Sequence, residues 1–205
     1  VKVTPDERPY LGRAEYRTYE LARACGIDIS ESRLYVLDGK EHFMTRRFDR
    51  DGEKRHHILT FRAMRTLPPD VSLEMNSYDQ LFATMVELKL DYEEFEQMFR
   101  LMAFNVYADE SDDHSKNFSF ILKEGGGWHL APAYDLTGGV PPEAAEDDTR
   151  RTTWTNCHAM SINGKQSNIA DGDLLSVADR YGIGTATRVL EEIKAVFQRK
   201  SEKLS

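Results

Sequence analysis

The sequence has few cysteines, no long apolar run and no internal repeat, and each of these absences excludes a class of protein. Its two cysteines, Cys25 and Cys157, lie far apart and form no Cys-x-x-Cys pair, which is typical of reduced thiols in a cytosolic protein. No apolar stretch approaches the roughly 18 residues that span a bilayer, and no basic-then-apolar leader opens the chain. We therefore expect a soluble, cytoplasmic protein.

The 205 residues suffice for one domain, or for one large domain with a small lobe. The apolar fraction of 40% supports a real core, and the net charge of −8 argues against non-specific binding to nucleic acid. The chain opens with "VKVTPDERP" and no methionine. We expect a trimmed or processed chain or a fragment, in which "VKV" is the end of a strand.

Apolar spacing and turn residues predict an α+β fold in which helices dominate the second half. We predict helices over residues 13–27, 77–90, 91–108, 171–183 and 185–204, a short helix within 56–70, and β-hairpins over 32–52 and 117–136. The polar segment 140–156 is predicted to be a loop.

Two neighbouring helices carry capping residues and an apolar face. Ser77 can cap the first, and Asp91 and Glu94 have the spacing of a capping box at the start of the second. The second helix also has an apolar stripe at helical spacing, which predicts a face buried in the core. The stripe consists of Phe95, Met98, Phe99, Met102 and Val106.

Three polar residues in the segment 108–139 have the spacing of a phosphoryl-transfer site. Asp112 and Asn117 lie five apart in "DDHSKN", and Asp135 closes the second strand of the hairpin that follows. In kinases a catalytic-loop Asp accepts the proton of the attacking hydroxyl, and an Asn five residues later and a further Asp hold Mg²⁺. The pattern predicts Asp112 as the base and Asn117 and Asp135 as the metal ligands.

The residues between Asp112 and Asn117 leave alternatives open. Asp113 is adjacent to Asp112 and points in another direction, so only one of the two need be catalytic, and the spacing favours Asp112. His114 is better suited to a structural or nucleotide-contacting role than to metal, since Mg²⁺ prefers oxygen. Lys116 lies near a phosphate or is a solvated lysine.

Five blocks of the sequence, in this order, resemble the HipA-type serine/threonine kinases, which are the toxins of bacterial toxin–antitoxin pairs. They are "EYRTYELARACGI" (15–27), "HFMTRRFDR" (42–50), "FNVYADESDDHSKNFSF" (104–120), "LAPAYDL" (130–136) and "HAMSINGKQSNI" (158–169). The resemblance implies a protein-kinase-like fold with ATP bound between two lobes. Residues 1–50 would be the remainder of a small β-stranded N-lobe with the hinge, and 51–205 a mainly α-helical C-lobe with the catalytic loop 108–139.

The resemblance assigns the same roles to Asp112, Asn117 and Asp135 and adds residues that bind the nucleotide. Lys2 would be the strand lysine that holds the α- and β-phosphates, with Glu15 of the next helix as its ion-pair partner. Phe48 would face inward from the hinge, on the opposite side from its neighbours. The other implied nucleotide-contacting positions are Arg46 and Arg47 of the hinge, His114, Lys116 and Tyr134.

The resemblance also implies partners. The protein substrate would offer a Ser or Thr hydroxyl, and in the cell it would be a translation factor such as an aminoacyl-tRNA synthetase. A HipB-like helix-turn-helix antitoxin would bind the kinase and connect it indirectly to DNA. The basic stretch 43–57 would then be a solvated strand end, the adenine hinge or an electrostatic contact to the antitoxin or DNA.

The chain departs from the family pattern at Asp109 and Glu110, where Gly and Asn are usual. We expect this extra negative charge to weaken phosphate binding or to alter the loop. The family's Gly-rich phosphate loop and regulatory serine are expected upstream of Val1. Thr152, Thr153 and Thr155 fall where ordinary kinases have the activation segment, and are candidate phosphorylation sites.

Two alternatives to an active kinase remain at this level. A truncated or degenerate kinase would bind the antitoxin without catalysis, as the acidic pair at 109–110 suggests. A metal-dependent hydrolase would use Asp112, Asp113, His114 and Asp135, although these residues lack a recognisable zinc spacing.

Overall fold

The computed structural model of this chain describes residues 1–68, 70–138 and 157–202. The predicted loop over 140–156, with its three candidate phosphorylation sites, lies outside the described residues. The helices are α1 Leu11–Ala24, α2 Phe61–Met64, α3 Tyr78–Glu87, α4 Tyr92–Tyr107, α5 Asp171–Arg180 and α6 Ala186–Glu202. The strands are β1 Ser32–Leu37, β2 Lys40–Thr45, β3 Arg50–Asp51, β4 Lys54–Arg55, β5 His57–Thr60, β6 Ser119–Leu122 and β7 Trp128–Leu130. The predicted α+β class is confirmed.

The N-terminal part is the hairpin β1–β2 with α1 packed against it. The extended residues before α1 lie beside β2, where the Lys2 amide donates to the Phe43 carbonyl over 2.8 Å. Gly12 allows this close packing, because a Cβ there would lie 2.2 Å from the Glu41 carbonyl oxygen and 2.6 Å from Thr4 Oγ1. The Thr4 hydroxyl itself donates to that same carbonyl over 2.7 Å.

Helix α4 forms the centre of the helical part and contacts α3, α5 and α6. The predicted apolar stripe is buried along Phe95, Met98, Phe99 and Met102, while Val106 is partly buried at the edge of the core. Truncating such a fully buried Met or Phe to Ala costs about 2–5 kcal/mol. This core holds the C-terminal end of α4 rigidly, and the candidate catalytic loop starts there.

The predicted helix caps are present. The Ser77 hydroxyl accepts the Gln80 amide over 3.1 Å at the start of α3. At the start of α4, the Asp91 amide donates to Glu94 Oε2 over 3.0 Å, as a capping box requires.

A second, antiparallel sheet has the strand order β5–β6–β7. The hairpin β6–β7 was predicted, but the prediction over 56–70 was wrong in part. Its first residues form strand β5, paired with β6, and the helix is reduced to the four residues of α2. Thr60 marks the change, because its hydroxyl accepts the Ala63 amide over 3.1 Å and caps α2.

Among the described residues both cysteines are free, Cys25 buried and Cys157 exposed, and burial raises the pKa of the Cys25 thiol to about 11. Within the same ranges, no helix combines the length and the apolar character that crossing a bilayer requires.

Candidate active site

Three charged residues from distant parts of the chain meet at one point. Lys2 Nζ lies 2.9 Å from Glu15 Oε1 and 2.8 Å from Asp135 Oδ1. Lys2 precedes α1, Glu15 lies on the buried face of α1, and Asp135 follows β7. The fold therefore brings together the lysine, its expected glutamate partner and the expected metal-binding aspartate.

The ionisation of this cluster suits an anionic ligand. Burial alone would lower the pKa of Lys2, but the hydrogen bonds and charges of Asp135 and Glu15 outweigh it, so the pKa is raised and the amine stays protonated. Burial raises the pKa of Glu15, and the Lys2 ammonium partly offsets that effect. The result is a fixed positive charge, half exposed to solvent, beside the candidate metal ligand.

The candidate catalytic loop follows α4 and is closed by its own hydrogen bonds. The Asn117 side-chain Nδ2 donates to the Asp112 carbonyl over 2.9 Å, and the Asn117 amide donates to the His114 carbonyl over 2.8 Å. The Asp112 carboxylate is 69% exposed, and His114 Nε2 lies 3.8 Å from its Oδ1. The loop thus holds Asp112 and Asn117 together and leaves the carboxylate accessible to a substrate hydroxyl.

Asp113 points the opposite way, into the core. Its Oδ2 accepts the Tyr78 hydroxyl and lies 2.9 Å from His158 Nδ1, and its Oδ1 accepts the Ala159 amide over 2.8 Å. Asn105 Nδ2 donates to the Tyr78 hydroxyl oxygen over 3.0 Å. This network anchors the loop from below. The sequence does not predict this network, because Tyr78, Asn105 and His158 carry no motif that links them to Asp113.

Tyr134 joins the loop to the hinge. Its hydroxyl donates to the Lys116 carbonyl over 2.5 Å and lies 2.6 Å from Ser119 Oγ. The ring of Phe48 packs against the ring of Tyr134 with centroids 5.6 Å apart. Among the predicted hinge residues, Phe48 is therefore brought to the candidate site. In the catalytic loop, only the carbonyl of Lys116 makes this contact, and its side chain is exposed.

The two hinge arginines make contacts outside the cluster around Lys2. Arg47 forms a bidentate ion pair with Asp49, and its side chain is 68% exposed. The Arg46 side chain is exposed, and its amide donates to the Glu31 carbonyl over 2.8 Å. This amide is therefore already used, and an adenine ring would have to bind other backbone groups of the hinge.

The two acidic residues before the loop, Asp109 and Glu110, lie in different environments. Asp109 is exposed and takes a positive φ of 51°, a conformation that glycine adopts most easily. Glu110 is buried, and its carboxylate accepts backbone amides on both sides of the site. Burial raises the pKa of Glu110, and the hydrogen bonds from Gly138 and Thr137 oppose that rise.

The donor chemistry of Asn117 and Asp135 fits magnesium. An amide oxygen and a carboxylate are hard oxygen ligands, and Mg²⁺ in kinases takes few protein ligands and completes its coordination with phosphate and water. Within residues 1–68, 70–138 and 157–202, no three His, Cys, Asp or Glu side chains cluster as a metal cage. Asp113 is engaged in the core, so a hydrolase site that uses it receives no support.

The comparisons with known proteins agree with this geometry. The family model described as HipA-like C-terminal domain matches residues 1–202. The chain belongs to this family. A relative from Haemophilus influenzae, named "Putative kinase", is 25% identical over 227 residues, which cover 98% of this chain and 65% of the relative.

Two solved structures share the fold of this chain. One is a chain of the Shewanella oneidensis MR-1 complex of the toxin–antitoxin proteins HipA and HipB with operator DNA. It has a TM-score of 0.65 and 21% identity, over 94% of this chain and 49% of that one. Another is the Helicobacter pylori proinflammatory kinase CtkA, with a TM-score of 0.58 and 11% identity, over 91% and 74%. The predicted family and kinase-like fold are confirmed. The HipA-like chain spans 65% of the length of the Haemophilus relative and 49% of the Shewanella chain.

Proposed function

We propose that this HipA-like chain is the catalytic part of a serine/threonine kinase that transfers the γ-phosphoryl group of ATP to a protein hydroxyl. The contact of Lys2 with Glu15 and Asp135 is the observation that carries the proposal. A phosphate-binding lysine held by a helix glutamate, next to a metal-binding aspartate, is the arrangement that active kinases require.

The exposed carboxylate of Asp112 would accept the proton of the substrate hydroxyl as its oxygen attacks the γ-phosphorus. The bond between the γ-phosphorus and the bridging oxygen breaks, and ADP leaves with the electron pair. Lys2 would hold the α- and β-phosphates with its ammonium group. Asn117 and Asp135 would hold Mg²⁺, which neutralises the charge that develops on the phosphate oxygens.

We also propose an antitoxin partner and a protein substrate for this kinase. The Shewanella structure contains HipA with HipB and operator DNA, which supports a HipB-like helix-turn-helix antitoxin as the partner and an indirect contact to DNA. The family resemblance supports a cytoplasmic protein substrate, a translation factor such as an aminoacyl-tRNA synthetase. The two free cysteines are consistent with that compartment.

Calorimetric titration with ATP and Mg²⁺ tests the nucleotide site. We expect the parent protein to bind, Asp135→Asn to lose the Mg²⁺-dependent part of the affinity, and Asp112→Asn to keep it. Lys2→Met should weaken binding, because it removes the charge that faces the phosphates. Lys40→Met is the matched control, since Lys40 also forms an ion pair, with Asp6, at the exposed end of β2.

Transfer of labelled phosphate from ATP to a general protein substrate completes the test. A parent protein that shows no binding at millimolar nucleotide would rule out the kinase proposal for this chain and favour an antitoxin-binding module without catalysis. Equal losses in Lys2→Met and Lys40→Met would mean that the contact around Lys2 has no special role.

A further inference from the structure

We infer that Glu110 is a positioning residue, whose buried carboxylate fixes the backbone beyond Asp135 and joins it to the catalytic loop. The inference rests on the proposed kinase function and concerns how its metal ligand is held. Of the two sequence expectations for the acidic pair, weaker phosphate binding or an altered loop, it favours an effect of Glu110 on the loop.

The carboxylate lies between two segments that must keep a fixed distance. Glu110 Oε2 accepts the amides of Thr137 and Gly138, each over 2.6 Å. Its Oε1 accepts the Asp112 amide over 3.2 Å. Glu110 therefore connects the residue that carries the candidate base to the residues that follow the candidate metal ligand.

Glu110 is itself held by the rigid end of α4. Its amide donates to the Asn105 carbonyl over 2.9 Å, and only 2% of the residue is exposed. A side chain with so little freedom loses little further entropy when it holds other groups in place. Through Glu110, the segment after Asp135 is therefore hydrogen-bonded to the end of the core helix α4.

The segment after β7 needs such a support, because Asp135 has a positive φ of 55°. A non-glycine residue persists in this conformation only where the surrounding structure holds it. Glu110 accepts the amides of Thr137 and Gly138, which are the second and third residues after Asp135. The Thr137 carbonyl in turn accepts the Thr18 hydroxyl of α1 over 3.1 Å. The support thus extends from α4 to the helix that carries Glu15.

The pattern of donors requires a carboxylate and not an amide. Three backbone N–H groups converge on two oxygens, and an ionised carboxylate offers acceptors on both. A glutamine has the same size, but its NH₂ group would face either the Asp112 amide or the amides of Thr137 and Gly138. Glu110→Gln therefore breaks one side of the support while it preserves the volume of the side chain.

The test compares Glu110→Gln with Asp109→Asn in the full-length natural protein. Each variant removes one negative charge from adjacent positions, but Asp109 is exposed and accepts no such bonds in the described structure. The first measurement is hydrogen exchange at the amides of residues 112, 137 and 138 without nucleotide. The second is the Mg²⁺ concentration at half-maximal ATP binding, by calorimetry.

We expect Glu110→Gln to speed exchange at one or more of these three amides and to raise the Mg²⁺ requirement about tenfold, as loss of a group that orients a metal ligand commonly does. Asp109→Asn should change neither quantity. Unchanged exchange or an unchanged Mg²⁺ requirement in Glu110→Gln overturns the inference, and so does an equal effect of Asp109→Asn. If the parent protein binds no nucleotide, the kinase proposal fails and the inference falls with it. If the parent protein binds nucleotide normally and Glu110→Gln has no effect, only the inference about Glu110 fails and the kinase proposal stands.

Discussion

The two adjacent aspartates of the catalytic loop occupy opposite environments. The Asp112 carboxylate is 69% exposed and free to meet a substrate, whereas the Asp113 carboxylate is fully buried and accepts hydrogen bonds on both oxygens. One face of the loop is therefore open to solvent and the other is part of the core. The difference teaches that an exposed carboxylate, here the candidate base, is held in place by a buried neighbour.

The largest expected effect is on the exposed face of the loop. Asp112→Asn should lower the rate of phosphoryl transfer about 10²- to 10⁴-fold, because the amide cannot accept the proton of the attacking hydroxyl. Its free energy of unfolding should stay within about 0.5 kcal/mol of the parent value, since an exposed side chain is replaced. Steady-state kinetics and urea unfolding measure the two quantities, and full activity in this variant would remove Asp112 from the role of base.

The buried face should respond in the opposite way. Asp113→Ala leaves the Tyr78 hydroxyl, His158 and the Ala159 amide without their acceptor in the core, which should cost about 3–5 kcal/mol of unfolding free energy. Urea unfolding of Asp113→Ala beside Asp112→Ala provides the matched comparison. Equal stability of the two alanine variants would show that the network below the loop does not anchor it.

A third acidic residue, the buried Asp173, extends the comparison of Asp112 with Asp113, and its substitution should have the smallest effect. Its carboxylate accepts Lys165 Nζ, the Ala170 amide and Asn163 Nδ2. The hydrogen bond from Lys165 is the main reason that the pKa of Asp173 is lowered from 3.8 to about 2. Because the pKa is lower in the folded state, its stabilising contribution is complete above about pH 5 and is lost as the pH falls toward 2.

Asp173→Asn should therefore be less stable than the parent protein by about 2 kcal/mol at neutral pH, and the difference should shrink between about pH 4 and pH 2. Urea unfolding across this range measures it. The control is Asp179→Asn, an exposed position on the same helix α5. A stability difference that is independent of pH would refute the assignment of the low pKa to a structural role.

The sequence was sufficient where the interactions are local or belong to a motif. The caps at Ser77 and Asp91 follow from residues three positions apart, and the hairpin β6–β7 follows from its glycine-rich turn. The proximity of Lys2, Glu15 and Asp135 was reached through the family resemblance, and the contacts agree with it. The roles of these residues stay predictions until binding is measured.

The sequence was insufficient where polar groups meet across long stretches of chain. Tyr78 and His158 lie 35 and 45 positions from Asp113, and neither has a spacing that identifies a partner. Strand β5 has only four residues and pairs with a strand some sixty positions later, so no local pattern distinguishes it from a helix start. For Glu110, charge alone suggested interference, because backbone donors leave no trace in a sequence.

Gly12 has a consequence for motion. Because any side chain at this position would collide with the Glu41 carbonyl and with Thr4, helix α1 rests directly on the backbone of β2. A rotation of α1 would therefore carry the strand and the adjoining Lys2 segment with it. The ion pair between Lys2 and Glu15 would survive such a rotation, whereas the contact of Lys2 with Asp135 and the bond from Thr18 to the Thr137 carbonyl would have to break.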